Sequence, residues 1–402
     1  MHLLEKSGMG TLRDKTAIVG MGCTSFGELW DQGVGDLIID AAYECLEDAS
    51  MDPGDIQAVW AGTLRSGLSG TVVADALKLR NVPITRVENH CASGHDALRN
   101  AALGVASGLY DRVMAIGYEQ LKDTGFPGMG VGRGPHPTWM QHWTAPTAFG
   151  FIASRYFLAN GLTVEKGKEI LAHIAVKNHA NGSRTEKAHL RNLVSLEQVL
   201  NAPTIAWPLG LFDCCGTSDG ASAAILVRGD QATQHRNDPV YVKGIGLSVD
   251  PVMPYFRAGF DYLGFDATRD AARQAYDQAG IIDPRKEIDL AEVHDCFTIT
   301  ELVNYEDLGF SPAGTGWQDV LDGIFHPEGP LPVNTDGGLK CFGHPVGASG
   351  LRMLYEVYKQ LQGKAGDRQI RRARKGLAHT LGGPPQVSCV VIAGNEKDRS
   401  NP

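Results

Sequence analysis

The sequence predicts an α/β protein made of a duplicated unit with one inserted segment, and three observations carry that prediction. Strand-like apolar runs alternate with helix-period stretches, the pattern of sheets covered by helices. A set of short matches recurs in the same order in two parts of the chain. Between those parts, residues 122–205 have a different composition.

In chain order, Thr16 to Gly20 reads as a buried strand, and Asp36 to Ala49 as an amphipathic helix with Leu37, Ile38, Ala41, Ala42, Cys45 and Leu46 on one stripe. Asp52-Pro53-Gly54-Asp55 forms the next turn, since Pro presets φ and Gly accepts the reversal. Ile56 to Ala61 is the following strand and Thr71 to Leu79 the following helix. A β-prone run at Ile84, Thr85 and Val87 leads into Asn89-His90-Cys91-Ala92-Ser93-Gly94 and a helix from His95 to Ser107. Arg112 to Gly117 is a further strand, and Asp219 to Val227 reads as a small-residue turn and the last strand of the first unit. Strands separated by helices predict a largely parallel sheet.

The repeat is specific in its order. Asp-Ala-Ala at 40–42, Ala-Ser-Met-Asp-Pro at 49–53 and Ile56 are matched by Asp-Ala-Ala at 270–272, Ala-Gly-Ile-Ile-Asp-Pro at 279–284 and Ile288. A strand follows each time, Gln57 to Ala61 and Asp289 to Val293. Residues 343–350 then open a helix (Leu351 to Leu361) where Cys91-Ala92-Ser93-Gly94 opens its own. Two sheets side by side are expected, with equivalent helix starts facing a pseudo-symmetric centre. The boundaries fall at 1–121 and 206–240 for the first half, 122–205 for the insert and 241–402 for the second half. The insert is rich in Gly, His and aromatics (Gly125, Phe126, Gly128, Trp139, His142, Trp143, Phe149, Phe151) and then carries Lys166, Lys168, Lys177, Arg184, Lys187 and Arg191. Its length and aromatics suit a lid or pocket-forming loop domain; a solvated surface insertion is the other reading.

A chain of 402 residues can bury a large core, and a formal net charge of −9 argues against nucleic acid or an anionic membrane as the main partner. Nowhere are there the roughly 18 consecutive apolar residues of a membrane span, the N-terminus has no extended apolar region, and Arg-Ser-Asn-Pro is not a peroxisomal address. A cytoplasmic location is expected. The cysteines (Cys23, Cys45, Cys91, Cys214, Cys215, Cys296, Cys341, Cys389) read as reduced thiols. No pair has Cys-x-x-Cys spacing, and no metal is expected.

Cys91 stands where a strand turns into a helix. Free N–H groups and the positive end of the macrodipole lie there, and can bring a thiol from about 8.5 into roughly 3.5–7.5. A buried structural cysteine is the commoner role, so other residues must carry the argument. His294-Asp295-Cys296-Phe297 ends a strand, Gly343-His344-Pro345 starts a helix, and a Gly-rich turn runs from His379 to Pro385. Such strand-end turns collect functional residues in open α/β sheets. Singly, His294 and His344 are more often structural and Cys296 core. Jointly, two cysteines and two histidines suit covalent acyl transfer: a nucleophile, its base, a separate acid/base and donors for an oxyanion.

Taken together, Cys91-Ala92-Ser93-Gly94, Ser218-Asp219-Gly220-Ala221, His294-Asp295-Cys296-Phe297, Asn334-Thr335-Asp336-Gly337-Gly338 and the Gly343-His344-Pro345-Val346-Gly347-Ala348-Ser349-Gly350 block resemble the thiolase superfamily, and within it the sterol-carrier-protein type. The resemblance covers nearly the whole chain. It implies a layered αβαβα fold and the cleavage of a 3-oxoacyl-CoA by free CoA, or the reverse Claisen condensation, with coenzyme A as substrate and no permanently bound cofactor. Cys91 would attack the 3-keto carbon and hold the acyl group, with His344 helping to form the thiolate. Cys296 would protonate the departing CoA enolate and later deprotonate incoming CoA. His294 and His344 would form one oxyanion hole, and the backbone N–H groups of Cys91 and of the Gly382-Gly383 turn another. Most thiolases carry an acid/base cysteine in a Cys-x-Gly motif in that turn; here it reads Leu381-Gly382-Gly383, which leaves the role to Cys296. Cys341 and Cys389 are expected to be structural.

Further implications of the resemblance are a homodimer or higher assembly through the sheet of the first half, and a small OB-fold, zinc-ribbon protein as a partner subunit. The aromatic insert suits a branched, aromatic or steroid-derived acyl group. Its Lys and Arg residues are candidates for the CoA phosphates, with none singled out. Two other readings are a retro-aldolase acting on a 3-hydroxyacyl-CoA, which needs no cysteine nucleophile, and a non-catalytic acyl-CoA-binding scaffold. The presence of both Cys91 and Cys296 favours thiolysis.

Overall fold

The computed structural model describes residues 11–122, 144–250, 255, 257–383 and 385–398. Its strands are β1 (Thr16–Cys23), β2 (Ala58–Gly62), β3 (Ile84–Val87), β4 (Arg112–Glu119), β5 (Thr204–Ala206), β6 (Leu209–Gly210), β7 (Gly220–Arg228), β8 (Val240–Val249), β9 (Leu290–Glu292), β10 (Lys375–Gly382) and β11 (Val387–Gly394). β1 and β11 are buried at every position. Side chains alternate between the two faces of a strand, so burial throughout requires cover on both. Helix Val34–Ala49 covers β1, β4 and β7 on one outer face, and helix Asp266–Ala279 covers β8 and β11 on the other. Helices Ser93–Ala106 and Ser349–Leu361 touch each other and strands of both halves. The layers therefore run helix, sheet, helix pair, sheet, helix, as expected.

The two expected sheets are joined at one edge into a nine-stranded sheet, ordered β3-β2-β4-β7-β1-β8-β11-β10-β9. The duplication is written in that order: outward from the junction, β1, β7, β4 and β2 on one side answer β8, β11, β10 and β9 on the other. Even β3 has an echo, since Val333 makes an isolated parallel bridge to Ala291 of β9. The junction itself is only Ala17↔Tyr241 and Ile18↔Val240. Contrary to expectation, the sheet is mixed. Only β2/β3, β2/β4 and β9/β10 are parallel. β10 and β11 are joined by too few residues for a parallel crossover. β1 lies between β7 and β8, neither of which follows it through a single helix, so strand–helix alternation says nothing about its direction.

Glycine lets the two central helices start against each other. A Cβ on Gly94 would lie 2.7 Å from the Gly347 carbonyl oxygen, and one on Gly350 2.8 Å from the His95 nitrogen. Any side chain there would push apart the Cys91 turn and the His344 loop. The described part of the insert is not a solvated appendage: helix Val164–Ser183 buries Lys177, Asn178, His179 and Asn181 and packs on the second-half helices Thr298–Asp307 and Gly338–Cys341. The β5–β6 ribbon spans residue 205, the expected boundary. Gly125, Phe126, Gly128, Trp139, His142 and Trp143 lie outside the described residues.

Candidate active site

After β3 the chain reverses sharply. His90 takes φ of 51°, Ser93 Oγ donates to the His90 carbonyl (2.6 Å), and the Asn89 N–H donates to Ser93 Oγ (2.9 Å). The helix begins at Ser93, two residues earlier than expected, so Cys91 precedes it by two residues. Cys91 is 4% exposed. The expected lowering of its pKa is overturned: burial pushes the thiol up to about 12, against backbone N–H groups of Gly383 and of Cys91 that pull it down. Losing water around a buried thiolate outweighs those dipoles.

The His344 loop meets this sulfur. His344 Nε2 lies 3.3 Å from Cys91 Sγ, and its Nδ1 lies 2.7 Å from Ser349 Oγ. Ser349 Oγ donates its single proton to the Pro345 carbonyl at 2.8 Å, so it accepts from Nδ1–H. The Nε2 lone pair is thereby turned to the thiol. Burial also holds the imidazole down to about 3, so at rest the pair is a neutral S–H···N contact. Ser349 was visible in the motif, but its task was not.

β9 delivers His294 and Cys296 to the same place. Asn334 Oδ1 accepts the Val293 N–H (2.8 Å). Asp295 accepts from the Leu339 N–H (2.6 Å), the Lys340 N–H (3.2 Å) and Asn178 Nδ2 (2.8 Å), all buried. The Asn334–Gly338 block is therefore scaffold behind the site. The His294 ring stands edge-on to His344 with centroids 5.3 Å apart, and donor atoms of Cys91, His294 and His344 all lie within 4.8 Å of one another. Burial keeps His294 neutral by pulling its pKa well down. Cys296 Sγ is 3.8 Å from Thr300 Oγ1. Its thiol is pushed far up, first by burial and then by the Cys215 and Cys91 thiols. Cys215, whose N–H donates to the Cys296 carbonyl at 2.9 Å, is a neighbour that sequence reasoning missed, because that contact joins residues 81 positions apart.

The Gly-rich turn is shorter than expected. His379 to Gly382 belong to β10, paired residue for residue with β11, and His379 is a buried histidine bonded to Ser388 Oγ (3.0 Å). The two glycines do different things. A Cβ on Gly382 would come 2.7 Å from the Asn89 carbonyl oxygen, so Gly382 lets β10 approach the Cys91 turn. Gly383, at φ 66°, supplies the N–H that reaches the Cys91 sulfur. Leu381, Cys341 and Cys389 are core.

Apolar Leu64, Leu121 and Val346 pack against Cys91. Glu119 holds that wall: it is fully buried and accepts from the Leu64 N–H (2.8 Å), the Arg65 N–H (2.8 Å) and the Gly347 N–H (3.2 Å). Beside Cys296, Phe297 packs against Phe149 of the insert with the rings tilted by 31° and their centroids 4.8 Å apart, and Phe149 meets Phe265 edge-on. The insert's cations are dispersed. Lys177 pairs with buried Glu301, Lys187 with Glu44 at 2.6 Å and Lys166 with Glu169 at 3.1 Å. Among the described residues no helix is long and apolar enough to cross a membrane.

Comparison with known proteins bears on the family and the fold. A family model described as Thiolase, N-terminal domain matches residues 16–230, and one described as Thiolase C-terminal domain-like matches 257–395. The chain is 38% identical to the acetyl-CoA acetyltransferase of Methanothermobacter thermautotrophicus, over 95% of this chain and 99% of that one. It is 32% identical to benzoylsuccinyl-CoA thiolase subunit BbsB of Thauera aromatica, over 92% and 96%. A solved structure described as an Ltp2-ChsH2(DUF35) aldolase superposes with a TM-score of 0.84 at 23% identity, covering 97% of this chain and 100% of the other, a likeness of fold.

Proposed function

The chain belongs to the thiolase family of acyltransferases, and on that premise we propose that it cleaves a 3-oxoacyl-CoA with free CoA, or runs the reverse Claisen condensation, through an acyl group on Cys91. The observation that carries the proposal is the 3.3 Å approach of His344 Nε2 to Cys91 Sγ with Ser349 fixing the tautomer. As Sγ attacks the 3-keto carbon, its proton passes to Nε2. The keto oxygen becomes an oxyanion beside the Cys91 and Gly383 N–H groups. Its collapse breaks the C2–C3 bond, leaving the acyl thioester on Cys91 and a CoA enolate whose oxygen is held by His294 and His344. Cys296 protonates C2, then takes the proton of incoming CoA as that thiolate attacks the thioester; the bond to Cys91 Sγ breaks, the acyl group leaves on CoA, and Sγ takes its proton back from His344 Nε2. Intact-mass spectrometry after exposure to short, branched and aromatic 3-oxoacyl-CoAs without free CoA tests this. An acyl adduct on the chain is expected, and its absence with every substrate would refute the reading.

Two consequences follow from the neutral resting pair. With the Cys91 pKa raised to about 12, the thiolate fraction grows about tenfold per pH unit across the whole accessible range. Iodoacetamide should therefore label Cys91 faster at each step from pH 7 to 9 without levelling, whereas a plateau near pH 6 or 7 would mean a preformed thiolate–imidazolium pair. Ser349→Ala removes the acceptor for Nδ1–H as His344 becomes positively charged. Loss of one hydrogen bond to a charged group, about 1.5–3 kcal/mol, corresponds to roughly 10–100-fold in kcat. Ser349→Thr should restore most of it, with KM little changed; equal rates in all three proteins would remove the positioning role.

A bulky branched, aromatic or steroid-derived acyl group is the substrate class we favour. It is supported by the Phe149–Phe297 wall and by the benzoylsuccinyl-CoA thiolase relative. A retro-aldolase acting on a 3-hydroxyacyl-CoA draws support from the aldolase structure of like fold, but it leaves the Cys91–His344 contact without a task. The proposed assembly is a homodimer through β3, the terminal strand on the first-half side among the described residues, and light scattering that reads a monomer would count against it. A small OB-fold, zinc-ribbon subunit and a cytoplasmic location complete the reading.

A further inference from the structure

Three soft and borderline donors converge at the centre of the fold, and convergence of this kind has a chemistry of its own, independent of acyl transfer. Donor atoms of Cys91, His294 and His344 lie within 4.8 Å of one another, all buried. Around tetrahedral zinc, Zn–S of about 2.3 Å and Zn–N of about 2.0–2.1 Å place sulfur and nitrogen donors roughly 3.5 Å apart. The observed His344 Nε2 to Cys91 Sγ separation is 3.3 Å.

The surroundings of His344 meet a further requirement of such a site. A metal-binding imidazole normally gives its other N–H to a fixed acceptor, which sets the tautomer and strengthens the ligand. Ser349 Oγ does this for His344, leaving the Nε2 lone pair facing the sulfur. His294 is 1% exposed, yet its Nδ1 finds no hydrogen-bond partner among the described residues. A buried polar nitrogen without a partner is costly unless something else occupies the space beside the ring. Three protein ligands also leave a fourth position open, as in zinc sites that exchange their ligands. The ligands come from residues 91, 294 and 344, on three separate loops, so no short-spaced motif could announce them.

We propose that Cys91, His294 and His344 form a three-ligand site for a single Zn2+ ion, which binds reversibly and excludes acylation by occupying the same sulfur. On binding, the Cys91 S–H bond breaks and its proton goes to the buffer. The sulfur and one nitrogen of each imidazole form bonds to the ion, a water fills the fourth position, and nothing is oxidised or reduced. The site selects a thiophilic cation with tetrahedral preference, whereas Mg2+ and Ca2+, which want oxygen ligands, are not held.

The test uses the full chain, stripped of metal with a chelator and titrated with Co2+, whose bound thiolate gives a near-ultraviolet charge-transfer band and whose tetrahedral form absorbs in the visible. One equivalent is expected to saturate both signals, and Zn2+ to displace it. Cys91→Ser should lose the charge-transfer band, His294→Gln should weaken binding by about tenfold or more, and Cys215→Ser should leave the spectrum unchanged. In the unaltered chain, Zn2+ should slow iodoacetamide labelling of Cys91 in mapped peptides, with the rate restored by EDTA. That measurement decides the matter if a variant fails to fold. No thiolate band, a band that survives Cys91→Ser or vanishes in Cys215→Ser, or labelling indifferent to Zn2+ would each overturn the proposal. These readouts follow binding and not turnover, so their failure leaves the proposed acyl transfer standing.

Discussion

Cys91→Ala is expected to abolish thiolysis while leaving the fold in place. In the proposed mechanism Sγ makes and breaks the bond to the acyl carbon, and among the described residues Cys91 is the thiol that hydrogen-bonds His344 Nε2. Removing the nucleophile from a covalent mechanism costs on the order of 10⁴–10⁶ in kcat. The structural cost is small by comparison. Cys91 sits in a minor apolar cluster with Leu64, Leu121 and Val346, and deleting one buried sulfur costs about 1 kcal/mol or somewhat more. The variant should therefore unfold within a few degrees of the parent yet gain no acyl mass from any 3-oxoacyl-CoA. A retro-aldolase would behave differently. Because no acyl-cysteine forms in that reaction, Cys91→Ala would still cleave 3-hydroxyacyl-CoAs, and that outcome would transfer the site to the other chemistry.

What the sequence made legible was local or repeated. The strand at Thr16, the helix ending at Ala49, the turn carrying Cys91 and the echo between residues 40–56 and 270–288 all follow from patterns a few residues long. The structure places them close to where they were expected. The four side chains proposed for catalysis come from strand ends and helix starts, and these converge because two glycines, Gly94 and Gly350, allow the helices behind them to meet. The hidden features depend on partners far along the chain. The mixed sheet follows from β1 lying between β7 and β8. The raised Cys91 pKa follows from burial by both halves, which reverses the lowering expected from its place before a helix. Ser349 and Glu119 look like ordinary small-residue and strand positions until the atoms they hold, His344 Nδ1 and the N–H groups of Leu64, Arg65 and Gly347, are known.

Cys296→Ala separates the two protons that the mechanism must move. In the proposed cycle Cys296 delivers a proton to carbon when the enolate leaves and removes a proton from sulfur when CoA arrives. A carbanion-like enolate is a far stronger base than CoA thiolate, so the carbon step depends on a positioned acid and the sulfur step much less. Loss of a general acid–base group costs typically about 10²–10⁴-fold. The full reaction is therefore expected to fall by that amount while Cys91, whose own contact to His344 is untouched, is still acylated by an acyl-CoA donor. Proton NMR in deuterated solvent gives the direct readout. The parent should exchange the C2 protons of acetyl-CoA, and Cys296→Ala should exchange them at least about a hundredfold more slowly. A variant that retained the parent's exchange rate would assign the carbon acid/base elsewhere. Cys215 would then be first in line: its N–H is bonded to the Cys296 carbonyl at 2.9 Å, and charge on its sulfur disfavours charge on both Cys91 and Cys296. The double variant Cys215→Ala, Cys296→Ala would settle which thiol moves the proton to carbon.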